Sequence, residues 1–389
     1  MPIINSIAAL EEQMTEWRRD FHMHPELAYQ EVRTSGKVSA MLESWGIEVT
    51  KGLGKTGVVG VIKGSGDGPS IGLRADMDAL PINEMNDTPW KSKNEGVMHA
   101  CGHDGHTTML LGAAKYLSET RNFNGTVNVI FQPAEEGYAG AKAMMDDGLF
   151  EKFPCDQVYG LHNWPQMPAG SIAAVPGPIM AAADKFDITV RGKGAHGAMP
   201  QNGVDSIVIG SQIVTALQSL VSRSKDPIET AVISITMFHA GAAFNVIPEE
   251  AVLSGTVRTF NPEVQDMIEA GMKRIAEGIA SGMGGSAEVD FRRGYPATVN
   301  HEAQTQLAAD IAGGIVGPEN VRDDVDPTMG GEDFAFMLNE KPGCYLWLGQ
   351  GGGAFSEDVH HPQYDFNDSV LPIGASVLAR LVEELQPKS

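Results

Sequence analysis

The eight residues from His99 to His106, H-A-C-G-H-D-G-H, constrain the fold more than any other stretch of this chain. Four ligand-type side chains (His99, Cys101, His103, His106) and the carboxylate of Asp104 crowd into it, and two glycines let the backbone bend so that some of them can point at one spot. A divalent metal needs several deprotonated donors converging on one point, and Cys101-Gly102-His103 supplies a thiolate and an imidazole from one tight loop. The loop is half of a metal site. The other donors must come from distant segments, so the fold has to bring those segments here.

The chain offers three such segments: A-E-E-G at 134–137, G-L-H-N at 160–163 and V-H-H-P at 359–362. The first two follow apolar runs, 126–131 and 157–161, that read as strands, and the C-terminal ends of strands are where ligands and catalytic groups collect in open α/β sheets. Glu135 and Glu136 are adjacent, and adjacent side chains on an extended segment diverge. One of them is therefore a ligand, and the other is a general base for a water that the metal acidifies. His162 is read as a further ligand from its place in this series. His360 and His361 precede Pro362, which favours an extended residue, so they face apart and only one ligates. Asp76 and Asp78 would point the same way if the 70–75 strand continues; they either ligate, orient a ligating histidine, or cap a turn and helix. His22 and His24, in a Pro-broken connection, read as surface-loop histidines.

At 389 residues with 42% hydrophobic content, the chain exceeds the roughly 250–300 residues at which one core stops growing, so two domains are expected. The order of strand, loop, helix (107–117) and strand through 70–131 is that of a parallel sheet with crossover helices. After Pro176-Gly177-Pro178 the pattern becomes strand 185–191, helix 205–222, strand 231–238, strand 251–259, helix 263–279 and strand 287–291. That β-α-β-β-α-β order belongs to a split-βαβ, ferredoxin-like module. Because His360 and His361 lie beyond it, the C-terminal segment must fold back onto the first. The expected architecture is α/β: a discontinuous, mostly parallel-sheet catalytic domain (1–183 and 294–389) with an inserted ferredoxin-like lid domain (184–293).

Within the insert, G-K-G-A-H-G at 192–197 matches a dinucleotide fingerprint, but no helix opens directly from it. A glycine loop presenting His196 to a substrate is the better reading. Asn245 also comes from this module, and Arg258 stands at a strand end, suited either to a bidentate grip on a carboxylate or to an ordinary surface salt bridge.

The 28 basic and 50 acidic residues give a net charge of −22, which repels phosphate backbones and anionic membranes, so neither nucleic acid nor a membrane is an expected partner. Three cysteines argue against a disulfide framework. With no basic, apolar leader at Met1 to Ser6 and no run near the ~18 apolar residues of a membrane span, the expected location is the cytoplasm.

Six motifs, L-R-A-D-M-D-A-L-P (73–81), H-A-C-G-H-D-G-H (99–106), F-Q-P-A-E-E-G (131–137), G-K-G-A-H-G-A-M-P (192–200), M-G-G-E-D-F (329–334) and H-H-P-Q-Y-D-F-N-D (360–368), occur in this order. Together they make the chain resemble the metal-dependent amidohydrolases typified by hippurate hydrolase, with aminoacylases, indole-acetyl-amino-acid hydrolases and small-substrate carboxypeptidases as relatives. The resemblance implies two divalent metals (manganese, zinc, cobalt or nickel) held by Cys101, His103, Glu136, His162 and His360, with Glu135 as general base. It further implies that His196 stabilises the oxyanion, from its own subunit or a partner's, that Asn245 and Arg258 lie near the substrate's carboxylate, and that the lid domain joins subunits into a homodimer or higher homo-oligomer. Asp76 stands where many relatives of the wider superfamily have a ligating histidine. The expected reaction is hydrolysis of N-acyl-amino acids to a carboxylic acid and a free amino acid. The rivals are a dipeptidase or carboxypeptidase using the same site, and a metal-dependent binding protein that has lost catalysis.

Overall fold

Runs of Val, Ile and Leu with no polar alternation become strands covered on both faces, and the computed structural model, which describes residues 3–353 and 355–388, places four of them side by side. They are Thr126–Gln132, Ser70–Asp76, Gln157–Pro168 and Gly343–Gly351, all mutually parallel and almost wholly buried. Burial on both faces is the condition under which parallel strands occur. They form the centre of an eight-stranded sheet whose order is Glu48–Leu53, Gly57–Lys63, Thr126–Gln132, Ser70–Asp76, Gln157–Pro168, Gly343–Gly351, Ile172–Ala173 and Val321–Arg322.

The sheet is mixed, and the mostly parallel expectation holds at its centre alone. Glu48–Leu53 and Gly57–Lys63 form an antiparallel hairpin, Gly57–Lys63 runs antiparallel to Thr126–Gln132, and Ile172–Ala173 runs antiparallel to Gly343–Gly351. The cause is the length of the connections. Three residues with Gly54 and Lys55 at positive φ close the hairpin, whereas parallel neighbours need a crossover, here the helix His103–Thr120 between Ser70–Asp76 and Thr126–Gln132.

That crossover helix begins inside the 99–106 motif and is buried along most of its length. Each fully buried leucine in it, such as Leu110 or Leu111, contributes about 1.5–3 kcal/mol of apolar burial. Gly105 is required by close packing, since a Cβ there would sit 2.2 Å from the ring of Phe366. The sheet and helix belong to a unit made of Met1–Ile179, Val299–Asp326 and Asp333–Ser389.

The other unit comprises Met180–Thr298 and Pro327–Glu332. Its four-stranded antiparallel sheet has the order Ala231–Ala240, Glu250–Thr259, Ala182–Arg191, Ser286–Tyr295. Alternating burial along Ala182–Arg191 leaves one apolar face, where Phe186, Ile188 and Val190 pack with Ile209, Ile213 and Leu217 of the helix Ser206–Ser219 and Ile268 and Met272 of the helix Pro262–Gly282. Asp205 caps the first helix by accepting the N–H groups of Ile207 and Val208, and Asn261 caps the second through Glu263 N–H. Ala231–Ala240 lies at the sheet edge and exposes Met237 and Phe238, and the nearby helix exposes Ile207 and Val208. No helix among the described residues is long and apolar enough to cross a membrane. All three cysteines are free and buried.

Candidate metal centre

Gly102, at φ +93°, turns the chain from the loop into the crossover helix and leaves Cys101 and His103 on either side of the turn. Across from them His162 brings its Nε2 to 3.5 Å from Cys101 Sγ, while its Nδ1 donates to Asn163 O at 2.7 Å. His162 is not past a strand end as expected. It lies inside Gln157–Pro168, which runs on for six more residues beside Gly343–Gly351. The strand Thr126–Gln132 does end before the acidic pair. Ala134 takes a left-handed conformation (φ +55°), and Glu135 and Glu136 follow in a kinked turn. From the C-terminal segment His360, itself at φ +67°, donates its N–H to Ala100 O at 2.6 Å and holds Nε2 3.2 Å from Glu136 Oε1.

Two groups of donor atoms result, each spanning no more than 4.8 Å: Cys101, His103 and His162, and Cys101, Glu136 and His360. Cys101 belongs to both. A third group joins His103 with Glu135 and Glu136. His361 lies in none of the groups found among the described residues; it is half exposed and 3.3 Å from Glu357.

Of the other polar side chains of the loop, His99 keeps both ring nitrogens buried without a hydrogen-bond partner among the described residues; the rest, with the neighbouring Asp76 and Asp78, have structural occupations. Asp78 accepts from His103 Nδ1 at 3.2 Å and from the backbone N–H groups of Glu135 (3.0 Å) and Glu136 (2.9 Å), so it orients a histidine and fixes the acidic turn together. Asp76 bonds His106 Nδ1 at 2.6 Å and Arg74 at 2.7 Å. His106, whose Nε2 is 2.7 Å from Asn163 Oδ1, therefore has both ring nitrogens engaged. Asp104 turns away to His22 Nδ1 at 2.8 Å. His22 is thus no surface histidine: the helix Glu11–Met23 carries it into the core, where it is fully buried, whereas His24 stays partly exposed.

The electrostatics of the centre ask for a cation. Burial alone would lower the pKa of His103, but Asp76, Asp78 and Glu136 outweigh it and push the imidazole up to about 10. Burial and the charges of Glu136, Glu135 and Asp76 hold the Cys101 thiol well above its usual range, so a positive charge is needed to draw out the thiolate. Burial keeps His162 neutral, the form that ligates. His103 Nε2 and Glu136 Oε1 are buried without a hydrogen-bond partner among the described residues. Orphaned donors of the right chemistry around one shared thiol fit a pair of divalent metals.

The reading of the sequence missed the support behind this turn. Asp333 accepts from Arg74 (3.1 Å), Gln132 (2.8 Å) and Ala141 N–H (2.9 Å). Arg74, Gln132 and Asp333 sit in three of the six motifs, and their recurrence beside the ligand motifs was the available signal.

In the second unit, Ala195–His196 pairs with Val246–Ile247, and Asn245 O accepts Gly197 N–H at 2.8 Å, so His196 and Asn245 lie on adjoining, exposed segments. The chain continues into a short 3-10 turn, Pro200–Asn202, rather than a helix, in agreement with the rejection of a dinucleotide loop. Arg258, in Glu250–Thr259, donates to Met329 O at 3.2 Å, Val257 O at 3.0 Å and Thr256 Oγ1, all neutral acceptors, so the surface salt bridge considered for it is not among its contacts.

A mixed α/β sheet carrying a two-metal donor set, with the acidic pair just past one strand and His162 within another, is the framework of a metal-dependent hydrolase. The chain belongs to the peptidase family M20/M25/M40, whose model matches residues 72–384. The resemblance carried by the six motifs is thereby borne out. The chain is 42% identical to hippurate hydrolase of Campylobacter jejuni over 381 residues, covering 98% of each chain. It is 41% identical to N-acetylcysteine deacetylase of Bacillus subtilis, covering 96% of this chain and 97% of that one. A solved Bacillus subtilis structure described as a dinuclear metal binding peptidase from the M20 family superposes with a TM-score of 0.85 at 38% identity, covering 97% of this chain and 99% of the other.

Proposed function

We propose that this protein hydrolyses the amide bond of N-acyl-amino acids, releasing a carboxylic acid and a free amino acid. The observation that carries the reading is the pair of donor groups sharing Cys101, with Glu135 set beside them in a buried turn. Cys101, His103 and His162 would hold one divalent metal, and Cys101, Glu136 and His360 the other. Manganese, zinc, cobalt and nickel all suit this mixture of sulfur, nitrogen and oxygen donors. When bound, the metals polarise the amide carbonyl and acidify water.

Glu135 takes the proton of the attacking water and returns it to the departing amine, which would otherwise leave as a high-energy anion. Asp78 keeps this carboxylate and the Glu136 ligand in place through their backbone N–H groups. His196 stabilises the oxyanion, and Asn245 and Arg258 receive the carboxylate of the amino acid; for Arg258 the support is a guanidinium bonded to neutral oxygens. The insert 184–293 acts as a ferredoxin-like lid, supported by its β-α-β-β-α-β order. It also joins two subunits, supported by the exposed apolar edge strand Ala231–Ala240. The segments 1–183 and 294–389 make the catalytic domain, and the cytoplasm is the proposed location.

The test is to strip the enzyme with a chelator, reload it with manganese, zinc, cobalt or nickel, and assay N-benzoyl-glycine, N-acetyl-amino acids and simple dipeptides. Activity on the acylated amino acids that vanishes on stripping and returns with metal is expected. Turnover of dipeptides alone would make the protein a dipeptidase, and retained ligand affinity without product would make it a binding protein.

A further inference from the structure

Glu31 is a fully buried carboxylate that the proposed chemistry does not use. It occupies the N-cap position of the helix Val32–Ser44, where an acidic side chain ordinarily accepts the helix's first free N–H groups, yet it makes no side-chain cap bond. Glu26 does that work, accepting Arg33 N–H at 2.9 Å and Thr34 N–H at 2.8 Å. The Glu31 carboxylate is directed elsewhere: it accepts Tyr29 N–H at 3.0 Å, Thr56 Oγ1–H at 2.5 Å and, across 103 positions of sequence, Ala134 N–H at 2.9 Å. These donors are neutral, and burying a carboxylate against neutral donors is costly. Burial pushes its pKa up accordingly.

Ala134 is the residue at which the chain leaves the strand Thr126–Gln132 and turns towards Glu135. It holds φ +55° and ψ 42°, a left-handed conformation that a side chain with a Cβ disfavours. The surrounding bonds fix it from both ends: its O accepts Gly140 N–H at 3.0 Å, and its N–H is held by Glu31. Relaxation of Ala134 to negative φ would rotate the following peptide and swing the Glu135 side chain to a new direction.

We propose that Glu31 is a positioning residue for the general base: by accepting the Ala134 N–H it holds that alanine in the left-handed conformation that aims Glu135 at the reacting water. The inference rests on the reading of Glu135 as the base. It assigns Glu31 a part in the reaction that no side-chain contact with substrate or metal would reveal.

Wild type, Glu31→Ala, Glu31→Gln, Glu135→Gln and the double variant Glu31→Ala/Ala134→Gly are compared for kcat and KM on N-benzoyl-glycine, for bound metal and for Tm. Glu31→Ala is expected to lower kcat by roughly 10–100-fold, the scale of a misaimed catalytic group, with KM and metal content little changed. Glu31→Gln should recover most of that loss, because its amide oxygen can take both N–H groups and its NH2 can donate to Thr56 Oγ1. The discriminating result is the double variant: glycine adopts positive φ without help, so Ala134→Gly should raise the kcat of Glu31→Ala again, which a merely structural role for Glu31 would not produce. Full activity in Glu31→Ala, or no recovery on adding Ala134→Gly, overturns the proposal. If Glu31→Ala does not fold, Glu31→Asp, one methylene shorter, carries the same two expectations. An active Glu135→Gln would overturn the assignment of the base itself, whereas an inactive Glu135→Gln beside a fully active Glu31→Ala would overturn the positioning role alone.

Discussion

Glu135 and Glu136 are neighbours with different surroundings. The first is buried and the second partly open, with its Oε1 facing His360 and His103. In the proposed mechanism this separates the base from the ligand. Glu135→Gln should therefore lower kcat by about 10²–10⁴-fold while metal content, measured by atomic absorption, stays the same; near-normal turnover would remove Glu135 from its role. Arg258→Ala should raise KM for N-benzoyl-glycine by about 10–100-fold, the worth of a charge-assisted bond. Arg258→Lys should cost less, and N-benzoyl-glycinamide, which lacks the carboxylate, should show no such change. At this scale the sequence was legible where spacing alone puts two side chains on one turn, as for Cys101 and His103. It was not legible for His360 against His361, because the distinction depends on a positive φ at His360 and its backbone bond to Ala100. Proline's influence on its predecessor gives no hint of either.

The helix His103–Thr120 carries Asp104 in its first turn, where a carboxylate is favoured by the exposed N–H groups. The same carboxylate latches the helix Glu11–Met23 through His22 and Arg18, the latter at 3.6 Å. Burial would lower the pKa of His22, but its bonds to Asp104 and Glu84 prevail and lift it to about 9. An unfolded histidine titrates near 6.5. Because the folded value is the higher one, the stabilisation from this latch is complete below about pH 6.5 and is lost as pH rises through about 9. Denaturant unfolding of wild type and His22→Gln should show a gap in stability at pH 6 that narrows by pH 10; a constant gap would mean that His22 does not titrate with folding. The sequence places His22 in the Pro-broken connection, since Pro25 is a strong breaker, whereas the helix in fact runs to Met23. Its partner lies 82 residues away, a pairing that helical periodicity does not encode.

Over the whole molecule, metal should act on stability as well as on activity. Removing it takes positive charge away from beside Glu135 and Glu136, which form one donor group with His103. A metal present at a hundredfold excess over its dissociation constant stabilises the fold by about 2.7 kcal/mol. Chelation should therefore lower Tm by several degrees, and reloading should restore it; an unchanged Tm would mean that the centre does not hold metal in the folded protein. The sheet was legible in its interior, where strands read as unbroken apolar runs, and less so at its margins. The two-residue strand Ile172–Ala173 is too short to leave a pattern, and its direction follows from what it packs beside. One feature of the sheet reaches into synthesis. Gly343–Gly351 occupies an interior position, with Gly343 paired to Val158, and the whole of the second unit is translated between them. At roughly 5–20 residues per second, the nascent chain waits about ten seconds or longer with the edge of Gln157–Pro168 open, while the intervening unit already has all four of its own strands. The half that carries the chemistry is thus the last to close, and an N-terminal fragment ending at Ile179 is an open template for aggregation on the ribosome.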